Sequence, residues 1–574
     1  MKKDKIYALI VLLLIIAGSN AACYAQNLPT SGNWSSGISI GSEVEIDIIG
    51  NITIKGQVSI TDGGTLKINN KTNSDITLTY TGSAGFFSVE SGGKLIIQGN
   101  EHGRIIIDGG ANFNLADDNM TLTSTNSKTI NQAIYNAGRV DLNYVTIQNV
   151  YSSNNNGGAL EINASGNNNN KGTYLNNCFI TKCKALLGSA LMIQGSSPVY
   201  ITDSKISYCN TGGGAQDNSG GAIRTYGSTS SSLFLTNVKF FYNYALRNSN
   251  YNNSIPTDGN GGALFWNAKG AAGTKCVING CEFAYNKSDD NGGAIKAQSA
   301  LYFEGDTTKF HHNTAPVGAA IYIEGYTGGA GVSKVDNIVY DLNSYLKVYQ
   351  NSSPNYTYNS NTYPGQGAGI HFFFGSGMTL QSGTKITVNL NGAKIYNNIT
   401  GDNGNIIGQG GGVYFENSSN KTKYSYEINM DYGSVYKNTS YGQGGGIFVS
   451  EGDINSKNIN NQALEIRNNT SAEGGGIYIN NGNLNLANGA VTGNNSNIGG
   501  GIYINNGNFT INAGNIEGNN ANAGNGGGVY IVGQNGKGVF TMAGGTINAN
   551  ESSADGGGAY INGGMFPRAP RPRI

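Results

Sequence analysis

Charged residues are scarce in this chain of 574 residues: they make up 12% of it, and 35 basic residues balance 35 acidic ones. An average soluble domain has about 25% charged residues. The missing basic excess removes the electrostatic signature of a nucleic-acid-binding protein. Proline is limited to 9 residues, which excludes collagen and proline-rich linkers. With 4 histidines and 2 tryptophans, many common types of active site lack their usual residues.

Glycine and tyrosine, by contrast, are abundant, with 88 and 34 residues. The hydrophobic fraction of 38% is enough to bury a core, so the composition argues against a disordered chain. It fits a long, neutral β structure rich in asparagine and glycine, and it does not by itself indicate an enzyme.

The first 25 residues are typical of an export signal. Lysines at positions 2, 3 and 5 precede an apolar stretch that is too short to span a bilayer, and small residues follow it. Ala25 suits cleavage before Gln26. The alternative is a lipid anchor on Cys23, whose surroundings resemble a lipobox except at Asn20. Either predicts an exported protein, secreted or at the cell surface in association with the outer membrane, and no later apolar run predicts a transmembrane span.

Two short motifs recur along the chain in a fixed order. The first is a run of small residues followed by aliphatic or aromatic residues, as in Gly-Gly-Gly-Ile-Tyr-Ile from Gly474 and again from Gly499. Weaker copies lie upstream, such as Gly-Gly-Ala-Ile from Gly292. The second motif is an apolar residue, two further residues and an asparagine; it ends at Asn243, Asn286, Asn313, Asn398, Asn438, Asn494, Asn519 and Asn550.

The repeat unit predicts the architecture. Within one unit, three short alternating segments at 477–479, 484–486 and 491–492 read as strands separated by turns. A unit of this size has no room for helices and cannot bury its apolar face alone, so the units must stack. The sequence therefore predicts an all-β, single-stranded parallel β-helix, a solenoid with three short strands per coil.

The paired motifs resemble a known repeat family. Phe283-Ala284-Tyr285-Asn286 followed by Gly292-Gly293-Ala294-Ile295 looks like the F-x-x-N and G-G-A-[ILV] repeats of the chlamydial polymorphic outer membrane proteins. In the second half of this chain, G-G-G-[IV]-Y replaces G-G-A-[ILV]. The resemblance implies a right-handed β-helix of the pectin-lyase-like kind and a role in surface adhesion.

These observations predict four segments. A signal peptide (1–25) is followed by amino-terminal capping coils (26–150) and a repeat β-helix (151–563), with loop insertions near 244–260 and 330–363. Long loops on a regular scaffold are common recognition sites, or else are variable decoration. The segment 564–574, rich in proline and arginine, differs from everything before it and reads as a truncation or as a short basic tail.

The recurring asparagines are expected to have a structural role. Parallel strands lie about 4.8 Å apart, so each side-chain amide can donate to the one on the next coil. Cys183 and Cys209 align with this asparagine position on adjacent coils. A disulfide between them and a pair of small buried thiols are both open interpretations. The pair Cys276 and Cys281 lacks further ligands at zinc spacing, so no metal site is expected.

One position in each coil, directly after the inward aliphatic residue, is expected to face outwards. In the later coils it is aromatic. Such a stripe could bind sugar rings or a partner protein, or its rings could stack on one another and stabilise the sheet. The residues of this aromatic stripe are Tyr322, Tyr414, Phe448, Tyr478, Tyr503, Tyr530 and Tyr560.

The sequence is compatible with three functions. The sequence favours an exported, adhesin-like protein that binds host or environmental surfaces, proteins or glycans along a stiff scaffold. The alternatives are a polysaccharide lyase or glycoside hydrolase on the same fold, and a purely structural envelope protein. The acidic pairs Asp117-Asp118 and Asp289-Asp290 read as turn residues, so no catalytic residue and no cofactor is predicted.

Overall fold

The computed structural model describes residues 28–567 except 36, 117–120, 125–128, 154, 167–170, 213–217, 248–258, 269–272, 326–337, 359–360, 376–384, 403–406, 418–424, 457–461 and 534–536. The predicted signal peptide, Cys23 and the pair Asp117-Asp118 lie outside these residues. Within them the chain forms strands and turns, and it has no helix long and apolar enough to cross a membrane.

The strands form the predicted right-handed parallel β-helix with three strands per coil. In each coil the chain passes through three sheets in turn, which we call sheets 1, 2 and 3, and every strand pairs in parallel with its equivalent on the next coil. Leu484, for example, pairs with Phe509, which pairs with Phe540. All three point inwards, whereas the asparagines beside Leu484 point outwards, because side chains alternate along a strand.

Sheet 1 contains the strands Gly32–Trp34, Ile52–Ile54, Ile76–Tyr80, Ile105–Asp108, Val145–Tyr151, Phe179–Ala185, Lys205–Thr211, Lys239–Phe241, Glu282–Ala284, Thr308–His311, Leu346–Tyr349, Lys394–Tyr396, Gly433–Tyr436, Leu464–Arg467, Gly489–Thr492, Gly514–Glu517 and Thr546–Asn548. After sheet 1 the chain bends at the asparagine that ends the second motif and forms a further short strand. On successive coils these strands make a column, which we call the short column: Tyr244–Ala245, Lys287–Ser288, Ser352–Ser353, Ile399–Thr400, Thr439–Ser440, Thr470–Glu473, Asn495–Ile498, Asn520–Ala521 and Glu551–Ser552.

Sheet 2 begins after the glycine-rich motif. Its strands are Ser39–Ile40, Val58–Ile60, Phe87–Val89, Ile134–Asn136, Leu160–Ile162, Leu191–Ile193, Ile223–Thr225, Leu264–Trp266, Ile295–Ala297, Ile321–Glu324, Ile370–Phe373, Val413–Glu416, Ile447–Glu451, Ile477–Ile479, Ile502–Ile504, Val529–Val532 and Ala559–Asn562.

Sheet 3 completes the coil and leads back to sheet 1. Its strands are Glu43–Ile48, Thr65–Asn70, Lys94–Gln98, Arg139–Asn143, Gly172–Asn176, Val199–Thr202, Leu233–Thr236, Cys276–Asn279, Leu301–Phe303, Ile338–Asp341, Lys385–Asn389, Ser425–Asn429, Asp453–Asn455, Asn483–Leu486, Asn508–Ile511 and Val539–Met542. Two antiparallel hairpins belong to none of these sheets: Phe113–Ala116 with Thr121–Ser124, and Tyr356–Tyr358 with Asn361–Tyr363.

One continuous hydrophobic core runs along the axis, from Trp34 in an early coil to Phe540 near the other end. Like residues stack on like within it. The rings of Phe240, Phe283 and Phe310 lie parallel, with successive centroids 4.6 Å apart. Burial of each such side chain stabilises the coil by about 1.5–3 kcal/mol before entropic costs. Each coil therefore depends on its neighbours, which cover its apolar side chains.

The glycine-rich motif forms the corner that leads into sheet 2. Gly474 has a φ of +64°, a conformation that side chains disfavour. A Cβ atom on the next residue, Gly475, would lie 2.4 Å from the carbonyl oxygen of Gly500 on the following coil. At this corner the neighbouring coils approach so closely that a side chain on Gly475 would clash with the following coil.

The predicted insertion at 330–363 is not continuous. Ile338–Asp341 belongs to sheet 3 and Leu346–Tyr349 to sheet 1, so most of a regular coil lies inside it. The part that leaves the coil within the described residues is the hairpin that ends at Tyr363. In the insertion predicted at 244–260, Tyr244–Ala245 likewise continues the short column, while 248–258 lies outside the described residues. At the carboxyl end, Met565 still pairs with Val539, and the segment from 568 lies outside the described residues.

Candidate functional site

The asparagines of the second motif form one ladder along the molecule. Each donates its Nδ2–H to the Oδ1 of the next, at 2.9–3.0 Å, and the next Oδ1 also accepts the backbone N–H. The second Nδ2–H binds a carbonyl of the preceding coil, as Asn313 does to Phe283 at 2.9 Å. The ladder contains all eight asparagines named from the sequence. These bonds occupy the amides, so their role is structural.

Two further ladder members were missed from the sequence, Asn351 and Asn469. The signal was present, because Val348 and Ile466 stand three residues before them, as in the other copies. The residue before each ladder asparagine was also missed. It has positive φ, and in eight of the ten copies it is not glycine, for example +57° at Tyr285 and +55° at Lys437. This conformation turns the chain sharply and leaves that side chain on the outside.

Cys183 and Cys209 lie side by side on adjacent coils and both are free, buried thiols. The Cys209 backbone N–H donates to Oδ1 of Asn243 at 3.1 Å, so this cysteine occupies the rung before the first asparagine of the ladder. Burial raises the pKa of the Cys183 thiol well above its usual value. The arrangement in the structure is therefore the thiol pair rather than the disulfide.

The aromatic stripe lies on the outer side of sheet 2, and its rings stack on one another. Centroids of neighbouring rings from Tyr414 to Tyr560 lie 4.8–5.4 Å apart. Tyr414 and Phe448 are 3% exposed and Tyr478 is 5% exposed, whereas the last three members are half-buried. Because each ring from Tyr414 to Tyr530 has a neighbouring ring on both faces, this part of the stripe presents ring edges and hydroxyl groups rather than open faces on which a sugar could stack.

The stripe continues towards the amino terminus with an imidazole and an ammonium group in the same row. His371 lies between Tyr322 and Tyr414, tilted by 36° against the first ring and stacked on the second. The Lys296 Nζ lies 5.3 Å from the ring centroid of Tyr322 and forms an ion pair of 3.1 Å with Glu324. All of these side chains are largely buried, so they hold one another in place. Burial raises the pKa of the Tyr322 hydroxyl and lowers the pKa of His371 to about 3.

One column of stacked aromatic residues that the sequence did not single out lies on the outer face of sheet 1. Tyr349, Tyr396 and Tyr436 stack with centroids 5.0 and 4.9 Å apart, and each is half-exposed. The Arg467 guanidinium closes the column, 4.4 Å from the ring centroid of Tyr436. We call these three residues the tyrosine column. Burial raises the pKa values of Tyr349 and Tyr396 above the ordinary value of a phenol.

A row of lysines runs beside the tyrosine column on the same sheet. Its members occupy equivalent positions on successive coils, with Glu282 at one position in the row. We call this row the lysine column; its members are Lys205, Lys239, Lys309, Lys347 and Lys394. Each lysine directly precedes the inward apolar residue of the second motif, which is the sequence signal that could have revealed it.

A shallow cavity of about 360 Å³ lies beside the second hairpin, between Thr362 and a ladder of glutamines. The amide of Gln409 donates to Gln443 at 3.3 Å, and Gln443 donates to the Glu473 carboxylate at 2.9 Å. The amides of this ladder bind one another, as in the asparagine ladder.

The acidic residues of the described chain do not form a metal site: no group of three histidine, cysteine or acidic side chains there could hold an ion. Asp289 accepts hydrogen bonds from the Tyr244 hydroxyl and the Arg247 backbone, consistent with the turn role expected from the sequence. No family model, curated protein or solved structure matches this chain.

Proposed function

We propose that this protein is an exported, adhesin-like bacterial β-helix protein that binds glycans or proteins on host or environmental surfaces. The signal-like first 25 residues support export, either as a secreted protein or as one held at the cell surface. The paired F-x-x-N and G-G-A-[ILV] motifs support a distant relationship to the repeats of the chlamydial polymorphic outer membrane proteins.

The observation that carries this proposal is the outer face of sheet 1. There, exposed side chains of the same type recur on successive coils, next to one another and in register. Recurrence inside a β-helix is explained by packing, but packing does not require exposed lysines and tyrosines to recur outside. A repeated exposed surface suits an extended ligand that contacts many coils at once.

The mechanism follows from rigidity and repetition. Each exposed contact is weak, because water and salt compete for it. Contacts fixed on a stiff scaffold engage one ligand together, so the later contacts form at high effective concentration. Affinity then grows with the number of coils covered.

A glycan array with the full chain tests this proposal against a matched control. Changing Tyr349, Tyr396 and Tyr436 to phenylalanine removes three exposed hydroxyls and keeps the rings stacked. The control makes the same three changes at Tyr478, Tyr503 and Tyr530 of the aromatic stripe. We expect the first variant to lose glycan binding and the control to retain it. The proposal would be refuted if the control variant lost glycan binding and the first variant kept it. It would also be refuted if the wild type bound no glycan.

A further inference from the structure

We infer that the outer face of sheet 1 between Lys205 and Lys394 binds a linear acidic polysaccharide that lies parallel to the axis of the β-helix. This inference rests on the proposed function and names the class of its ligand. Its basis is the lysine column, which on two coils lies beside the tyrosine column on the same outer face.

The lysine column concentrates positive charge in a chain that has none in excess. Its five lysines are exposed or half-exposed, and within the described residues none of them lies within 4.0 Å of an acidic group. Glu282, the acidic residue in this row, binds Nε2 of His311 at 3.0 Å. With coils about 4.8 Å apart, the row from Lys205 to Lys394 spans about 24 Å.

The tyrosine column supplies hydrogen-bond donors beside these charges. Lys347 and Tyr349 lie two residues apart on one strand, as do Lys394 and Tyr396, so both members of each pair face outwards. An ammonium group has only donors, and a protonated phenol can donate as well. The face therefore offers donors at a regular rise, which complements a polymer with carboxylates along its length.

A neutral sugar polymer fits this face less well. Neutral sugars bind proteins largely by stacking on open aromatic faces, but here each ring covers its neighbour, with planes 7–9° from parallel. The remaining attraction is electrostatic, so it should fall as salt screens it. A polymer also gains from the repeated lysines, because several ammonium groups act on one chain.

The experiment measures binding of the full chain to a defined alginate oligosaccharide, which carries one carboxylate per sugar, by isothermal titration calorimetry. The neutral control ligand is the same oligosaccharide after reduction of its carboxyl groups. A single-stranded DNA oligonucleotide of similar length serves as a second polyanion. We expect binding to alginate alone, and a loss of at least about tenfold in affinity when salt rises from about 50 to about 500 mM.

Three variants locate the site. Changing Lys309, Lys347 and Lys394 to glutamine should weaken alginate binding about tenfold or more, and arginine at the same positions should restore it. The matched control changes Lys55, Lys71 and Lys537, outside the lysine column, to glutamine; it has the same net charge and should bind as the wild type does.

The outcomes separate the two proposals. Equal binding of alginate and its reduced form, with no effect of the lysine changes, would overturn the acidic class but leave the glycan-binding function standing. Equal binding of DNA, or equal loss in the control variant, would show a general polyanion effect and would also overturn it. Binding to none of the glycans on the array would refute the proposed function itself.

Discussion

The imidazole of His371 stacks on the phenol ring of Tyr414, with centroids 4.4 Å apart and planes 16° from parallel. His371 is 2% exposed, and its Nδ1 has no hydrogen-bond partner among the described residues. Neutral imidazole fits this place in the aromatic stripe, whereas a charged imidazolium would have to be desolvated.

This burial predicts a pH-dependent stability. The pKa of His371 falls to about 3 in the folded protein, against about 6.5 in an unfolded chain. Between those values the unfolded state binds a proton that the folded state does not. The stabilisation is therefore complete above pH 6.5 and decreases by about 1.4 kcal/mol for each pH unit below it.

His371→Phe keeps a stacked ring and removes the titrating group. When pH falls from about 7.5 to about 4.5, we expect the melting temperature of the variant to fall less than that of the wild type. The reason is that unfolding of the variant no longer includes proton uptake at position 371. Thermal unfolding followed by circular dichroism measures this. The control is His102→Gln, at an exposed histidine, which should behave as the wild type. An unchanged pH dependence in the His371 variant would contradict the prediction.

The asparagine ladder should be sensitive to the loss of one rung. Asn313→Ala removes the acceptor for both the backbone N–H and the side-chain amide of Asn286. Each unsatisfied buried donor costs about 1–3 kcal/mol, so we expect a destabilisation of about 3 kcal/mol or more. Faster amide exchange in a peptide containing Asn286, measured by mass spectrometry, should accompany a lower urea midpoint.

The matched control for the ladder is Asn508→Ala. Asn508 also donates to an asparagine on the previous coil, Asn483, at 2.7 Å, but this bond is exposed to water. We expect a change within about 0.5 kcal/mol, as for most surface substitutions. Equal effects of the two substitutions would mean that burial does not decide the strength of the ladder.

At Cys209, which occupies the rung before the first asparagine of the ladder, a substitution is expected to raise the stability of the protein. In Cys209→Asn, the new amide can donate to Oδ1 of Asn243, which already accepts the backbone N–H of this residue at 3.1 Å. One added buried hydrogen bond should stabilise the protein by about 1 kcal/mol. Cys209→Val fills a similar volume without a donor. A higher melting temperature for the asparagine variant than for the valine variant is the expected result, and the reverse order would argue against an extended ladder.

Two glycines with similar backbone conformation should respond differently to alanine. Gly444 and Gly63 have φ values of +62° and +75°, so both substitutions cost about 1 kcal/mol or more through φ alone. At Gly444 the new Cβ would also lie 2.6 Å from the carbonyl oxygen of Ile447, while at Gly63 nothing lies within 4 Å. We expect Gly444→Ala to be less stable than Gly63→Ala by about 2 kcal/mol in urea unfolding. Equal stabilities would show that the corner relaxes freely.

The fold was predictable because the same two motifs and the same alternation of apolar and polar residues recur in successive coils. The strand assigned at 484–486 is part of Asn483–Leu486, and 477–479 matches Ile477–Ile479. Alternation fixed which side chains point inwards, and the two motifs gave the register. The coil hidden in 330–363 was missed because the motif ending at Asn351 went unrecognised, so a regular turn of the helix was taken for a loop.

The outer surface was harder to predict, for a physical reason. Alternation indicates that Tyr478 points away from the core, but it does not indicate that neighbouring rings will cover it. The lysine column is hard to recognise in the sequence because its members are far apart along the chain. They become neighbours only when the coils stack. Lys347 and Lys394 are separated by a whole coil and its loops, yet they pair directly.

The spacing on sheet 1 is independent of the length of the loops. A coil may be longer or shorter between the short column and sheet 2, as with the hairpin that ends at Tyr363, but hydrogen bonding between strands returns each lysine to the same rise: Glu282 to Lys309 and Lys347 to Lys394 are both single steps. Insertions and deletions can thus change the loops of this molecule while the spacing of the lysine column along its axis stays the same.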